Sequence, residues 1–246
     1  MMRNYMKSIL IFLILQLGIC FPSELSPLEI LEKSIRRLDG IDHSLSVDVT
    51  TSKKNDDPKT KELKISIHWS KDKNKYKMIH LEEGSNGSKG RELIIYEYND
   101  RSIRTWIKYP KSGKVKEIKD KKLSKRIDVS DITIPLNLLS KKIKSVKEEV
   151  VNDTPCKVLE VKDGDETIKL WIDTLDFIIH RKEHYNKKLK LYKKIEYSNM
   201  VTQDKIKFYK NAKTVHLKDK VTAELVVNGF EIKDLKDNKI FRVTKK

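Results

Sequence analysis

The chain has 246 residues, enough for one large β domain or two small ones, and its 38% hydrophobic content with only 8 glycines is compatible with a packed core. Its formal net charge is +17, from 53 Lys+Arg against 36 Asp+Glu. The lysines recur at every second position of extended stretches, as on a solvated sheet face. No basic helix, zinc-finger spacing or RNP-like aromatic motif accompanies them, so nucleic acid is not an expected partner.

The N-terminus bears on the compartment. Arg3 and Lys7 precede the nearly all-apolar run Ser8–Ile19, an n-region and an h-region too short to span a bilayer comfortably. Gly18 and Cys20 form a small-x-small pair, so residues 1–20 read as a signal peptide. Three outcomes stay open: soluble export, lipidation at Cys20, where Ile19 is bulkier than such sites want, and an uncleaved anchor. A chain starting at Phe21 would keep Cys156 as its only thiol, so its fold must rest on burial rather than a disulfide. Cys156 reads as a small hydrophobe at a strand start.

Ser26-Pro27-Leu28-Glu29 is a helix start, with Ser as N-cap, Pro in the first turn and Glu at N3. Leu28, Leu31, Ile35 and Leu38 follow at helical spacing, with Ile30 beside them, and Gly40 ends the helix. Leu45, Val47 and Val49 then alternate with polar residues. After the polar loop Lys53–Lys59, Leu63, Ile65, Ile67 and Trp69 form the cleanest half-buried strand. Lys75–Leu81 is the next strand, and Glu83–Gly90 reads as a loop.

Arg91–Ile118 is the clearest hairpin. Leu93 and Ile95 face one way and Ile94, Tyr96 and Tyr98 the other. Asn99-Asp100 turns the chain, and Ile103, Thr105, Ile107 and Tyr109 alternate with Arg104, Trp106 and Lys108. Pro110 closes that strand, and a short third one spans Lys114–Ile118.

Lys119–Lys125 is charged and loop-like. Ser130-Asp131 caps a short apolar helical piece over Asp131–Leu139, expected either as a lid on the open side of a sheet or as a simple crossover. The second half returns to strands at Val146–Val151, Lys157–Lys162 and Ile168–Asp173. Phe177, Ile179 and Tyr185 share a strand, as do Leu189, Leu191, Ile195 and Tyr197, with Lys193 in the same row. Ile206 and Phe208, then Val221–Val227, follow. Asn228-Gly229 reads as a turn, and Ile232, Leu235, Ile240 and Phe241 as an apolar tail.

No Pro/Gly-rich linker divides the chain, so residues 21–246 are expected to form one mainly β (α+β) domain. It is read as an open antiparallel half-barrel of about eleven strands, covered by an N-terminal helix and a short central helix. A sheet that long coils. With so few helices to fill its concave side, an apolar cavity is expected there.

His180-Arg181-Lys182-Glu183-His184 spells H-x-x-E-H, but that zinc pattern needs a helix, and these flanks are strand grammar; the pair reads as solvated strand residues. No nucleophile elbow, P-loop or dinucleotide fingerprint is present, so no catalytic residue, metal or cofactor is assigned. The Asn86-Gly87-Ser88 and Asn152-Asp153-Thr154 sequons are read as turn chemistry.

Taken in order, the features resemble the periplasmic outer-membrane lipoprotein-sorting family of lipoprotein carriers. They are the export signal, the capped helix, Trp106–Pro110 as a W-x-x-x-P strand end, a basic strand with Val115 and Ile118, Ser130–Ile132, Leu170-Trp171-Ile172-Asp173 and a final Phe241. The resemblance covers about residues 26–243. It implies a half-barrel with a helical lid over a cavity that shields lipoprotein acyl chains, without enzyme chemistry. The implied partners are acyl chains or lipids and the inner-membrane release and outer-membrane acceptor machinery; an anionic membrane surface would suit the basic exterior. The implied state is a periplasmic monomer. An envelope sensor of mislocalised lipoproteins on the same fold is the alternative. In the carrier type an arginine after the second long strand engages the lid, whereas here that loop reads Lys71-Asp72-Lys73-Asn74 and a lysine lacks the planar fork. The residues expected to line the cavity are Leu31, Ile35, Val47, Val49, Ile65, Ile67, Trp69, Leu93, Ile95, Leu138, Leu170 and Ile172.

Overall fold

The computed structural model describes residues 24–53, 56–70, 74–85, 88–110, 112–118, 133–235 and 239–243. The signal segment 1–20 with Cys20, the loop Lys119–Lys125, the Ser130-Asp131 cap, Lys71–Lys73 and the Asn86-Gly87 pair lie outside the described residues. Among those described, no helix is long and apolar enough to cross a membrane.

Helix α1 spans Pro27–Arg36. Its capping box forms as the sequence reads: Glu29 N–H donates to Ser26 Oγ at 3.3 Å, and Ser26 N–H donates to Glu29 Oε2 at 2.8 Å. The helix buries Ile30, Leu31, Ser34 and Ile35. Leu28, expected in the apolar stripe, is instead 44% exposed, because the helix rolls onto its Ile30–Leu31 side.

The strands are β1 (His43–Lys53), β2 (Lys59–Trp69), β3 (Lys75–Ser85), β4 (Ser88–Tyr98), β5 (Ile103–Lys108), β6 (Val115–Ile118), β7 (Lys142–Val151), β8 (Thr154–Asp163), β9 (Glu166–Asp173), β10 (Ile179–Tyr185), β11 (Leu191–Gln203), β12 (Ile206–His216) and β13 (Val221–Ile232). They form one open antiparallel sheet of 13 strands, ordered β6-β5-β4-β3-β2-β1-β13-β12-β11-β10-β9-β8-β7. The sheet is thus two meanders joined where β1 pairs with β13. Thirteen strands agrees with the expectation of about eleven, and several strands are longer than read because residues assigned to turns belong to them. Glu83–Ser85 and Ser88–Gly90, taken as loop, belong to β3 and β4. A Cβ on Gly90 would come 2.1 Å from Glu83 O, so glycine is there for close strand approach beside a register shift, not for a loop.

Asn228-Gly229 is likewise inside β13 and not a turn. Ser46 faces Gly229 while Val47 faces Val227, so Asn228 is absorbed as a bulge. Twelve residues of β13 held against β1 override the local turn preference of Asn-Gly. Phe177 and Leu189, both assigned to strands, sit at positive φ (56° and 54°) in the turns before and after β10. The sequon residues Asn152 and Asp153 form a tight turn with φ 50° and 59°, as read. The central helical piece is shorter than Asp131–Leu139: it is a 3-10 turn over Leu136–Ser140, with Pro135 as its cap residue.

Side-chain rows cross the sheet on the face that carries α1. Leu45, Ile65, Leu81, Leu93 and Ile107 stand opposite one another across five strands. On the other side of the β1–β13 seam the corresponding row is Leu159, Leu170, Lys182, Ile195, Thr214 and Ala223. On the opposite face the C-terminal segment crosses β2–β4. Leu235 N–H donates to Asp42 Oδ2 at 3.1 Å, and the same carboxylate takes His68 Nδ1 at 2.6 Å and Trp69 N–H at 2.9 Å. Phe241 packs against the His68 and His80 rings, and its carbonyl accepts from Tyr96 Oη.

Candidate functional site: an apolar cavity beside the helix

The inner face is covered unevenly. Helix α1 and the 3-10 turn lie on the C-terminal meander, where Ile30, Leu31, Ile35, Leu136, Leu138 and Leu139 pack against Leu159, Val161, Ile168, Leu170, Ile172 and Ile179. The N-terminal meander holds a second cluster, from Val47 and Val49 across Leu63, Ile65, Ile67, Ile79 and Leu81 to Leu93 and Ile95. Between the two, along the seam, a cavity of about 270 Å³ remains, just below the roughly 300–1,000 Å³ usual for ligand pockets. Its apolar wall includes Ile35 and Leu38 from the helix end, Leu45, Val47, Ile67 and Trp69 from β1 and β2, and Phe177 and Ile179 beside β10. Tyr197, Phe208, Ala212, Leu225, Val227 and Phe230 from β11–β13 complete it. Phe208 and Phe230 stack at 4.9 Å between ring centroids.

The 3-10 turn is held over the inner face from two points of the β4–β5 hairpin. Arg101, at φ 67° in that hairpin's turn, donates through Nη1 to Leu139 O at 2.9 Å. Glu97 accepts from Leu136 N–H at 3.4 Å and pairs with Lys77 Nζ at 3.1 Å. Both members of that pair are almost wholly buried, and Lys77 also lies over the Trp69 ring. At the helix C-terminus, Tyr76 Oη donates to the Asp39 carboxylate at 2.6 Å, while Arg36 stacks on the Tyr76 ring.

The polar part of the wall is basic. Arg37, Lys77, Lys182 and Lys210 line the cavity together with His43, and among the described residues the lining contains no Asp or Glu. Burial holds Arg37 below its usual value, and its Nη1 donates to Lys207 O at 2.7 Å. His43 is depressed by burial foremost and by Lys77 nearby, although its hydrogen bond to Ile41 O acts the other way; it stands neutral at pH 7. Burial likewise lowers His184, against the contrary effect of its 2.5 Å bond to Glu166.

Of the twelve residues the sequence nominated, Ile35, Val47, Ile67 and Trp69 line the cavity. Val49, Ile65, Leu93 and Ile95 lie on the same face in the adjoining N-terminal cluster. Leu31, Leu138, Leu170 and Ile172 are packed solid between α1, the 3-10 turn and the C-terminal strands. The basic residues of the wall were missed. One signal was available: Lys182 shares strand parity with His180 and His184, so the H-x-x-E-H stretch was presenting a lysine to the inner face. The expectation that these histidines are solvated is overturned. His180 and His184 are 2% and 5% exposed, because β10 is an interior strand with both faces occupied. His180 pairs with Asp173 at 3.0 Å and Tyr209 at 2.5 Å, while Glu183 bonds Tyr185. No cluster of His, Cys, Asp or Glu among the described residues is placed to hold a metal. Cys156 is buried, and burial foremost pushes its thiol up to about 11, so it behaves as a hydrophobe.

The model of a protein family described as "-like: Uncharacterized protein" matches residues 73–245. No curated protein matches the sequence. Among solved structures the chain is similar to a DUF1329 family protein from Desulfovibrio piger, with a TM-score of 0.73 at 16% identity over 89% of this chain and 98% of the other. It is similar to a putative outer membrane lipoprotein-sorting protein domain from Vibrio parahaemolyticus, with a TM-score of 0.73 at 16% identity over 88% and 98%. A LolA superfamily protein from Nitrosomonas europaea gives 0.67 at 17% identity over 89% and 98%. At these identities the likeness is one of fold, and the open half-barrel is the fold they share with this chain.

Proposed function

We propose, for a chain that belongs to this family of uncharacterized proteins and folds as an outer-membrane lipoprotein-sorting half-barrel, that it is a non-enzymatic carrier which shelters an acyl chain in the seam cavity. The observation that carries the reading is the cavity itself: an apolar hollow between two packed clusters, walled by aliphatic and aromatic side chains. Each methylene moved from water into such a wall contributes about 0.8 kcal/mol, so useful affinity needs no polar contact. Helix α1 and the 3-10 turn act as the cover, and Arg101, from the β4–β5 turn rather than the loop after the second long strand, ties the 3-10 turn down. The cargo is the acyl chain of a lipoprotein or lipid, and the export signal read at residues 1–20 would place the protein in the periplasm.

Trp69 is in the cavity wall, while Trp106 and Trp171 face away from it. Titration with an acyl chain brominated near its terminus therefore tests the reading. Quenching of wild-type fluorescence that disappears in Trp69→Phe, together with bound acylated peptide in native mass spectrometry, is the expected result. Protein that stays unquenched and ligand-free after incubation with acylated peptide would sink the carrier.

A further inference from the structure

Two hairpin tips lie side by side at one end of the C-terminal meander: residues 186–190, between β10 and β11, and residues 217–220, between β12 and β13. They abut, because Leu217 N–H donates to Tyr192 O at 2.9 Å, just past the first tip. The seam cavity takes its wall from nearer the other ends of these strands, at Ile179, Tyr197 and Phe208. We infer that the tips dock on an anionic bilayer surface, with Leu189 and Leu217 entering the headgroup boundary and the flanking lysines meeting lipid phosphates. The inference stands apart from the acyl-chain reading, which is tested at Trp69.

All nine tip residues are exposed, and they comprise five lysines and one aspartate. Leu189 is 69% exposed and Leu217 48%. Leu189 also takes φ 54°, a conformation that is costly for leucine and suits Asn or Gly. The turn holds it there. Lys188 N–H and Lys190 N–H both donate to Asn186 Oδ1, at 2.9 and 3.1 Å, and Leu189 N–H donates to Asn186 O at 2.8 Å. A leucine held out into water gains only where a partner takes its side chain.

The charge around the leucines says which partner. Lys187, Lys188 and Lys190 surround Leu189, and Lys218 and Lys220 follow Leu217. Lysine is a point charge without the fork of arginine, which suits diffuse attraction to a charged surface better than recognition of one phosphate. Apolar tips within a basic ring match an interface that is anionic outside and hydrocarbon beneath; an acidic polymer would meet the lysines and leave the leucines in water. Asp165 of the β8–β9 turn lies 3.4 Å from Lys187, but both side chains are more than three-quarters exposed, so the pair restrains that lysine weakly. Beyond β13 the β1–β2 connection is mixed, Lys53 and Lys59 standing with Asp56 and Asp57.

The test is sedimentation of the protein, as the cell processes it, with vesicles of phosphatidylcholine alone and of phosphatidylcholine with a third phosphatidylglycerol. Binding to the anionic vesicles should be about ten-fold tighter, roughly 1.4 kcal/mol, and should weaken as salt rises. Lys188→Gln, Lys190→Gln and Lys218→Gln together should abolish most of that preference. Leu189→Asn with Leu217→Ser should cut anionic binding about three-fold while the unfolding midpoint holds or rises, since asparagine accepts this φ. The emission added by Leu189→Trp should shift to the blue on anionic vesicles. Equal binding to both vesicles overturns the docking surface. So does anionic binding that survives both sets of substitutions with the added emission unshifted. Binding to polyglutamate as tight as to the anionic vesicles would assign the lysines to an acidic polymer and overturn the bilayer.

Discussion

The two meanders are written in the same alternation of apolar and polar residues, and the structure uses them differently. The C-terminal meander takes α1 and the 3-10 turn onto its inner face and packs to the point where Leu31, Leu159 and Leu170 are fully buried. Its opposite face keeps a small cluster of Val151, Cys156, Val158 and Trp171. The N-terminal meander receives the C-terminal segment on its outer face, through Leu235 and Phe241. The hollow opens along the seam because each meander is covered from a different side. Alternation decides which residues face inward, and what is laid over them decides whether they become solid core or cavity wall.

That contrast can be broken most sharply at the buried Lys77–Glu97 ion pair, whose carboxylate also takes the Leu136 N–H of the cover. Glu97→Leu leaves Lys77 buried without its partner and should cost about 3–5 kcal/mol in urea unfolding, whereas Lys77→Met with Glu97→Leu should recover most of the loss. A double variant as unstable as the single one would show that the pair's charge is not the cause.

Next in size are truncations on the two sides of the cover. Leu170→Ala or Leu31→Ala, in the solid region, should lose about 2–5 kcal/mol, and Val227→Ala in the cavity wall under about 1 kcal/mol, since the wall already faces empty space. Equal losses at both would mean that the hollow is closed in solution. Ala212→Phe, which projects into the cavity, should abolish the Trp69 quench with little change in the unfolding midpoint.

Removing the arginine tie is expected to be milder. Arg101→Ala should cost about 0.5–1.5 kcal/mol globally, but amide exchange at Leu138 and Lys141 should rise well beyond that of β8 and β9. Uniform acceleration across all of them would argue against a separately opening cover.

The smallest effect is from pH. His43 and His184 have folded pKa values below the ordinary value of about 6.5, so the unfolded chain takes up protons that the folded one refuses, and stability falls as pH drops through that value. Burial alone would raise Asp173 and Glu166. Their bonds from His180 and from His184, with further donors at each, outweigh it and hold both below the usual range. A second decline should therefore appear below about pH 4, as these carboxylates are protonated and their contribution is lost. A midpoint flat from pH 8 to 5 would refute the histidine part.

The capping box of α1, the Leu63–Trp69 strand and the hairpin from Arg91 to Ile118 were legible because each is local: a side-chain cap three residues away, period-two alternation, a polar turn of a few residues. Such features are fixed by neighbours in the chain, and they were enough to give an open half-barrel with a cavity on its helical side. Asn228-Gly229 was misread because its local turn preference, worth about 1 kcal/mol or less, is outweighed by pairing with a strand distant in sequence, β1 against β13. Gly90 sits in the close β3–β4 hairpin with its chain neighbour, and His180–His184 form a strand as read but are buried because both faces of β10 are covered. The joining of first and last strands, the side of the sheet that each covering segment takes, and the placing of Lys182 and Arg37 at one hollow come from contacts between residues as far apart as 193 positions, as in the bond from Leu235 to Asp42. Periodicity assigns a face to every side chain, but only packing in three dimensions decides which part of that face is left unfilled.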